Sequence, residues 1–182
     1  VGYDVQVDGE YAYVTNNDGV MIVDISNPSN PKVISEISTD QAPFAIRIHD
    51  GYCYSAFSSG EFIINDIGDP LNPQTVISSS AGSGIVTAIA VIDTYVFVSY
   101  REVGYRIFNF SVTDFDLIYT YSDTQGESLA VKDNFLYFGN PYVGVKVFNI
   151  TDITSPEYVR TITTATSVWD MYIHNNLLYV GC

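Results

Sequence analysis

The stretch Tyr11-Ala12-Tyr13-Val14-Thr15-Asn16-Asn17-Asp18-Gly19-Val20-Met21-Ile22-Val23-Asp24-Ile25-Ser26-Asn27-Pro28-Ser29-Asn30-Pro31 decides the fold. Tyr11 to Thr15 alternates large and small side chains, the pattern of a strand whose two faces differ. Asn16-Asn17-Asp18-Gly19 is a loop of residues that tolerate left-handed dihedrals. Val20 to Ile25 is almost wholly apolar, as a strand buried on both faces would be. Pro28 and Pro31 cannot donate to a strand ladder and force an extended turn. Working outward, Tyr3 to Val7 alternates ahead of a tight Asp8-Gly9 turn, and Val33 to Ile37 supplies a fourth, outermost strand.

The same pattern returns. Asp66-Ile67-Gly68-Asp69-Pro70-Leu71-Asn72-Pro73 matches Asp24 to Pro31, and two prolines three apart after Asp-Ile, twice, is too specific to arise by chance. Tyr13, Tyr54, Phe97, Tyr137 and Tyr179 are separated by 41, 43, 40 and 42 positions. A period this long with strand-like content and no helical periodicity predicts an all-β chain, a β-propeller of four-stranded blades. The blades run roughly 1–42, 43–85, 86–125, 126–166 and an incomplete 167–182, about four and a half in all, within one propeller domain or its N-terminal part. Repeat three has lost both prolines and repeat four keeps Pro156. Half a blade leaves an open sheet edge and bare apolar faces between blades. The expectation is therefore the front of a larger ring of roughly six to eight blades, continued after Cys182. The other reading is an incomplete ring finished by another chain. On either, these residues alone should associate, with other copies or other chains, through the unfinished edge.

Tyr11 to Val14, then Gly19 to Pro28, then Asn30-Pro31 resemble the LVIVD repeat, and Tyr13-Val14-Thr15-Asn16 is also the tetrapeptide of the related YVTN surface-layer propellers. The Pro-x-x-Pro ending favours LVIVD. The resemblance is strong in repeats one and two, moderate in four and five, and weak in three. It implies a β-propeller of the kind common in secreted or cell-surface proteins of archaea and bacteria. It implies no single activity and carries no catalytic residues over to this chain.

The bulk composition narrows the partners. Apolar residues make up 47% of 182 residues, enough for a real core. Charged residues are 15%, against a usual level of about 25%. The deficit lies in the bases, seven against 21 acids, for a net charge of −14. That argues against a nucleic-acid backbone or an anionic membrane, both of which demand clustered Lys and Arg. No apolar run approaches the roughly 18 residues of a membrane-spanning helix, so no membrane insertion is expected. Cys53, mid-strand, reads as a small buried thiol, and Cys53 with Cys182 makes no disulfide framework. Scarce Lys with abundant Tyr, Thr, Ser and Asn fits an extracellular or cell-surface location. Asn109-Phe110-Ser111 and Asn149-Ile150-Thr151 match the N-glycosylation pattern at equivalent repeat positions, where Asp24 shows that a polar strand end suffices.

Candidate binding residues follow from the topology. In a propeller, the loops between second and third strands and between one blade and the next converge at one end of the channel. Those loops carry Asp18, Tyr100, Arg101, Glu102 and Tyr142, a polar and aromatic rim suited to a protein or glycan partner; ordinary solvated turns are the plainer reading. The strand starts Tyr3-Asp4, Phe44-Ala45, Thr87-Ala88, Glu127-Ser128 and Trp169-Asp170 differ most between repeats. Specificity could be written there, with Trp169 and Asp170 as rim candidates, or the positions could serve packing between blades. His49 and His174 fall on different blades, and Asp114 with Asp116 reads as a solvated strand end, so no metal site is expected. No Ser-His-Asp constellation is evident, and Gly82-Ser83-Gly84 is a flexible loop rather than a phosphate cradle, since no helix follows it. The sequence thus favours a non-catalytic structural, adhesive or protein-interaction scaffold without a cofactor. A glycan- or peptide-binding module using Tyr100, Tyr142 and Trp169 is the first alternative. An enzyme whose site at the channel mouth is completed by residues beyond Cys182 is the second.

Overall fold

The computed structural model describes residues 4–80, 84–123, 125–164 and 166–182. Tyr3, Gly82 and Ser83, named above, lie outside them. Among the described residues all regular structure is β, and no helix is long and apolar enough to cross a membrane. The strands group into two compact units, Val1–Ser83 and Gly84–Cys182.

The first unit holds two antiparallel sheets. Sheet 1 is β1 (Val5–Asp8), β2 (Tyr11–Asn16), β3 (Gly19–Asp24) and β4 (Lys32–Ser38), paired in that order. Sheet 2 is β5 (Ala45–His49), β6 (Tyr52–Ala56), β7 (Glu61–Asp66) and β8 (Gln74–Ser80). The second unit holds sheet 3, β9 (Val86–Ile92), β10 (Tyr95–Tyr100), β11 (Gly104–Phe110) and β12 (Phe115–Ser122). Sheet 4 is β13 (Ser128–Lys132), β14 (Phe135–Asn140), β15 (Gly144–Asn149) and β16 (Glu157–Ile162). Sheet 5 is the hairpin β17 (Asp170–His174) and β18 (Leu177–Gly181). Within each unit the first strands of successive sheets are neighbours: β1 beside β5, and β13 beside both β9 and β17.

Local chemistry sets each element. The hairpin joining first and second strands turns on a left-handed residue: Gly9, Asp50, Asp93, Asp133 and Asn175, with φ of 55, 46, 51, 52 and 53°. Glycine, Asp and Asn tolerate that region, and such turns match the twist of the strands they join. Third strands open tightly against fourth ones: Gly104 has φ 108°, and a Cβ there would be driven into the carbonyl of Tyr121. The Asp-Ile-x-Asn-Pro motif becomes two consecutive Asx turns. Asp24 accepts from the Ser26 N–H at 2.9 Å and Asn27 from the Ser29 N–H at 3.1 Å. Asp66 and Asp69 repeat this on Gly68 and Leu71, and Asn149 and Asp152 on Thr151 and Thr154. Hydrogen bonds from the hydroxyl and backbone N–H of Ser26 and of Thr154 hold Asp24 and Asp152 below the usual carboxylate range.

One regularity is invisible in the sequence. The pairing of third with fourth strands slips once in every complete sheet, bulging out Ile34, Val76, Ile118 and Val159. The bulge bends each outer strand at an equivalent place. Sheet 3 keeps it although its sequence has drifted furthest, and its β12, which the sequence pattern does not reveal, is a full eight-residue strand.

The core lies between sheets. In the first unit Tyr13, Val20, Ile22 and Ile37 of sheet 1 pack on Ile46, Cys53 and Ile67. In the second, Phe97, Tyr105 and Ile107 of sheet 3 pack on Leu129, Leu136, Phe138, Phe148 and Ile150. Sheet 4 meets the hairpin of sheet 5 through Ala130 and Val145 against Val168 and Met171. The anchor series needs a correction here. Tyr13, Tyr54 and Phe97 are buried, but Tyr137 is only half-buried and Tyr179 is 51% exposed. Tyr137 faces a two-stranded sheet, and Tyr179 faces solvent. Cys53 is a buried thiol, 3.7 Å from the Ser55 hydroxyl, and burial pushes its pKa up to about 12; Cys182 is exposed.

Candidate interaction surface

Antiparallel order places the β2–β3 type of loop and the sheet-to-sheet loop at one end of every sheet, here the loop end. In the first unit, Asp18 is exposed there, its N–H donating to Asn16 at 2.8 Å and its carbonyl accepting from the Thr39 N–H at 2.9 Å. A shallow cavity of about 190 Å³ lies beside it, lined by Thr39, Asp40, Gln41, Phe57 and Glu61. The Gln41 amide ties the loop between sheets 1 and 2 to the β6–β7 turn, donating to Ser59 and to the Glu61 carboxylate at 3.0 Å each. The sequence marks these loops but gives no reason to single out Gln41.

In the second unit the predicted rim residues separate into two groups. Tyr100 and Arg101 are structural. The register of β10 turns Tyr100 fully inward, with the Arg106 guanidinium 4.7 Å over its ring, so it cannot serve as a surface contact. Arg101 makes a two-pronged pair with Glu127 (3.0 and 3.2 Å), tying the sheet 3 loop to the start of sheet 4. Lys146 and Asp123 join the same two sheets at 2.5 Å, with the ammonium 5.7 Å from the centre of the Tyr121 ring. Burial pulls the Lys146 pKa down, but Asp123 and Tyr121 more than offset this, and it ends above the usual lysine value.

Glu102, Tyr142, Trp169 and Asp170 form the second group and are exposed, Tyr142 by 78% and Trp169 by 60%. The backbones of Tyr142 and Trp169 are fixed. Asn140 accepts from the N–H groups of Tyr142 (2.9 Å) and Val143 (3.2 Å), holding that loop in shape. The Trp169 N–H donates to the Gly181 carbonyl at 2.9 Å, and Asp170 accepts from the Met171 N–H at 2.8 Å. Val168, fully buried beside Trp169, packs close against Gly139, three residues before Tyr142. The two aromatic side chains thus stand at one end of the unit, on adjoining sheets.

The variable strand starts act mainly in packing. Asp4 accepts from the Ile46 N–H at 2.9 Å and pairs with Arg47 at 3.4 Å, joining sheet 1 to sheet 2. The Thr87 hydroxyl donates to the Gly126 carbonyl at 2.9 Å, joining sheet 3 to the loop before sheet 4. Ala45 and Ser128 are buried. At the opposite end, the Asn109 side chain accepts from the Thr94 hydroxyl at 2.9 Å, and Asn149 caps its Asx turn. His49 lies 3.6 Å from Asp50, and His174 stacks on Tyr172. Asp114 closes a tight turn on Ser111, and Asp116 is exposed on β12. Among the described residues, no three His, Cys, Asp or Glu side chains come together as metal ligands.

Sheets of this order and bend, stacked through their apolar faces, define a β-propeller, and solved structures bear this out. The chain is similar to the beta-propeller domain of Cps50 (Swd1) from Myceliophteria thermophila, with a TM-score of 0.74 at 14% identity, over 95% of this chain and 62% of that one. It is also similar to the computationally designed Ika8 protein, with a TM-score of 0.76 at 15% identity, over 97% and 54%. For BamB from Moraxella catarrhalis the TM-score is 0.67 at 16% identity, over 96% and 52%. The chain therefore spans about half the length of these proteins, and at such identities what is shared is the fold. Within that class the chain carries LVIVD repeats, which the family model matches over residues 2–39 and 45–79. No curated protein sequence matches it.

Proposed function

We propose that this protein is a secreted or cell-surface interaction scaffold that binds a protein partner at the loop end of its second unit, without catalysis. The observation that carries this reading is the pair of exposed aromatics, Tyr142 and Trp169, held by fixed backbone at the end of the unit that also exposes Glu102 and Asp170. Trp and Tyr supply contact area at little entropic cost and dominate the energetics of protein interfaces. The net charge of −14 favours a neutral or basic partner. Two cations at this end are engaged in ion pairs, Arg101 with Glu127 and Lys146 with Asp123. Scarce Lys and the two Asn-x-Ser/Thr segments support the location.

Trp169 is the single tryptophan of the chain, so its fluorescence reports on this surface directly. Titration with a library of neutral and basic extended peptides should find a saturable shift that Tyr142→Ala weakens roughly tenfold without unfolding the chain. A glycan array that gives hits with the same dependence on Tyr142, while every peptide fails, would replace the protein partner by a carbohydrate.

A further inference from the structure

Two Asn-x-Ser/Thr segments with a residue other than proline in the middle end the third strands of sheets 3 and 4. Asn109 faces Tyr95 and Asn149 faces Phe135 at the same register, so the two asparagines hold equivalent places. We propose that Asn149 is the acceptor of an N-linked glycan and that Asn109 is not. The inference rests on the secreted location argued above, because that modification acts on exported chains.

Three observations carry it. First, the amide and the hydroxyl that the pattern pairs are in contact at one site alone. The Asn149 Oδ1 accepts from the Thr151 hydroxyl at 2.7 Å and from the Thr151 N–H at 2.9 Å. The Asn109 Oδ1 accepts instead from the Thr94 hydroxyl at 2.9 Å. Ser111 is taken up by its own turn, its N–H donating to the Asp114 carbonyl at 2.8 Å and its hydroxyl accepting from the Asp114 N–H at 3.1 Å. Second, both bonds of Asn149 fall on its oxygen, and its Nδ2 donates to no partner among the described residues. Asp24 builds the equivalent Asx turn with a carboxylate, accepting from the Ser26 N–H, so the fold makes no use of the nitrogen. A sugar on Nδ2 leaves the turn intact. Third, the place is open to a transferase. Thr151 is exposed and Asn149 half-exposed. The equivalent Asp24 and Asn109 are half-exposed too, although each has a complete sheet following its own, so the exposure belongs to the position. Asn27 also caps an Asx turn two residues before a hydroxyl, but Pro28 in the middle bars it. In the transfer, Nδ2 bonds to the anomeric carbon of an oligosaccharide carried on a polyprenyl pyrophosphate. The bond from that carbon to the pyrophosphate oxygen breaks, the lipid pyrophosphate leaves with the electron pair, and one Nδ2 proton passes to a base of the transferase. Asn149 lies at the end of β15 away from the loop end, so a glycan there leaves Tyr142 and Trp169 uncovered.

The test sends the whole chain through a eukaryotic secretory pathway on a cleavable leader. Peptides containing Asn149 and Asn109 are then weighed by mass spectrometry before and after treatment with peptide N-glycosidase. The expected result is sugar on Asn149 in most chains and a bare Asn109. Thr151→Ala should abolish the sugar and Thr151→Ser retain it, while both variants keep the tryptophan emission of the parent. Ser111→Thr gives both segments the same hydroxyl residue and should still leave Asn109 bare. A bare Asn149 overturns the proposal. So does sugar on Asn109 of the Ser111→Thr chain at the level found on Asn149, since the pattern alone then suffices and the turn geometry decides nothing. The leader supplies the export, so a bare Asn149 is a failure of this inference and not of the secreted location. That location fails separately, if the chain stays inside the cells that make it.

Discussion

Two interfaces in the second unit begin from equivalent residues and end differently. Phe97 on β10 and Tyr137 on β14 hold the same place in their sheets, each turned toward the sheet that follows. Phe97 is fully buried, because sheet 4 meets it with Leu129 of β13, Leu136 and Phe138 of β14 and Phe148 of β15, together with Ile150 just after β15. Among the described residues Tyr137 faces the β17–β18 hairpin and is half-buried beside a cavity. An aromatic anchor in a repeat is thus worth what its neighbour's third strand makes of it. Burial here belongs to a pair of sheets, as it does wherever stacked units shield one another's apolar faces.

The largest test of that contrast is Phe97→Ala. Removing a fully buried aromatic ring from a close-packed interface should cost about 3–5 kcal/mol, read as a fall in the urea midpoint of the whole chain. A loss near 1 kcal/mol would mean the sheet 3 to sheet 4 interface is looser than its ring contacts indicate, such as the 5.3 Å edge-on pair of Tyr105 and Phe148. Tyr137→Ala comes second. By its repeat position alone it should match Phe97. Half-exposed and already next to empty space, it should cost about 2 kcal/mol, since less area leaves water and no new cavity of full size forms. Equal losses at the two sites would erase the comparison.

The blade pattern was legible because its causes are local. Asp-Gly and Asn-Asn turns, the glycine opening β3 and the Asx turns around Pro28 and Pro31 all act within a few residues, and each leaves a signature in the chain. The bulges at Ile34, Val76, Ile118 and Val159 left none, because any β-branched residue fits there and the slip is decided by pairing across strands. The candidate surface was legible in part. Loop positions follow from topology, so the sequence places Tyr142 and Trp169 at the loop end, where both stand exposed. Tyr100 was misjudged because it is the last residue of β10, where one step of register separates the interior from the rim. The pairing of Arg101 with Glu127 is not legible, because the two lie 26 residues apart and no spacing rule foretells that pair.

The smallest expected effect sharpens the comparison most. Tyr179 on β18 is the fifth member of the anchor series, equivalent to Tyr13, yet it is 51% exposed where Tyr13 is 2%. What remains to it is its cross-strand pairing with Tyr172 on β17, itself 64% exposed. Pairs of that kind contribute roughly 0.2–1 kcal/mol, so Tyr179→Ala should lower stability by only about 0.5 kcal/mol in the same urea titration. The three substitutions then fall in the order of the cover each ring receives, although the repeat treats the positions as one. If Tyr179→Ala instead cost as much as Phe97→Ala, a further apolar sheet would have to lie over β17 and β18 in solution, and the exposed face of that hairpin would be an interface already in use.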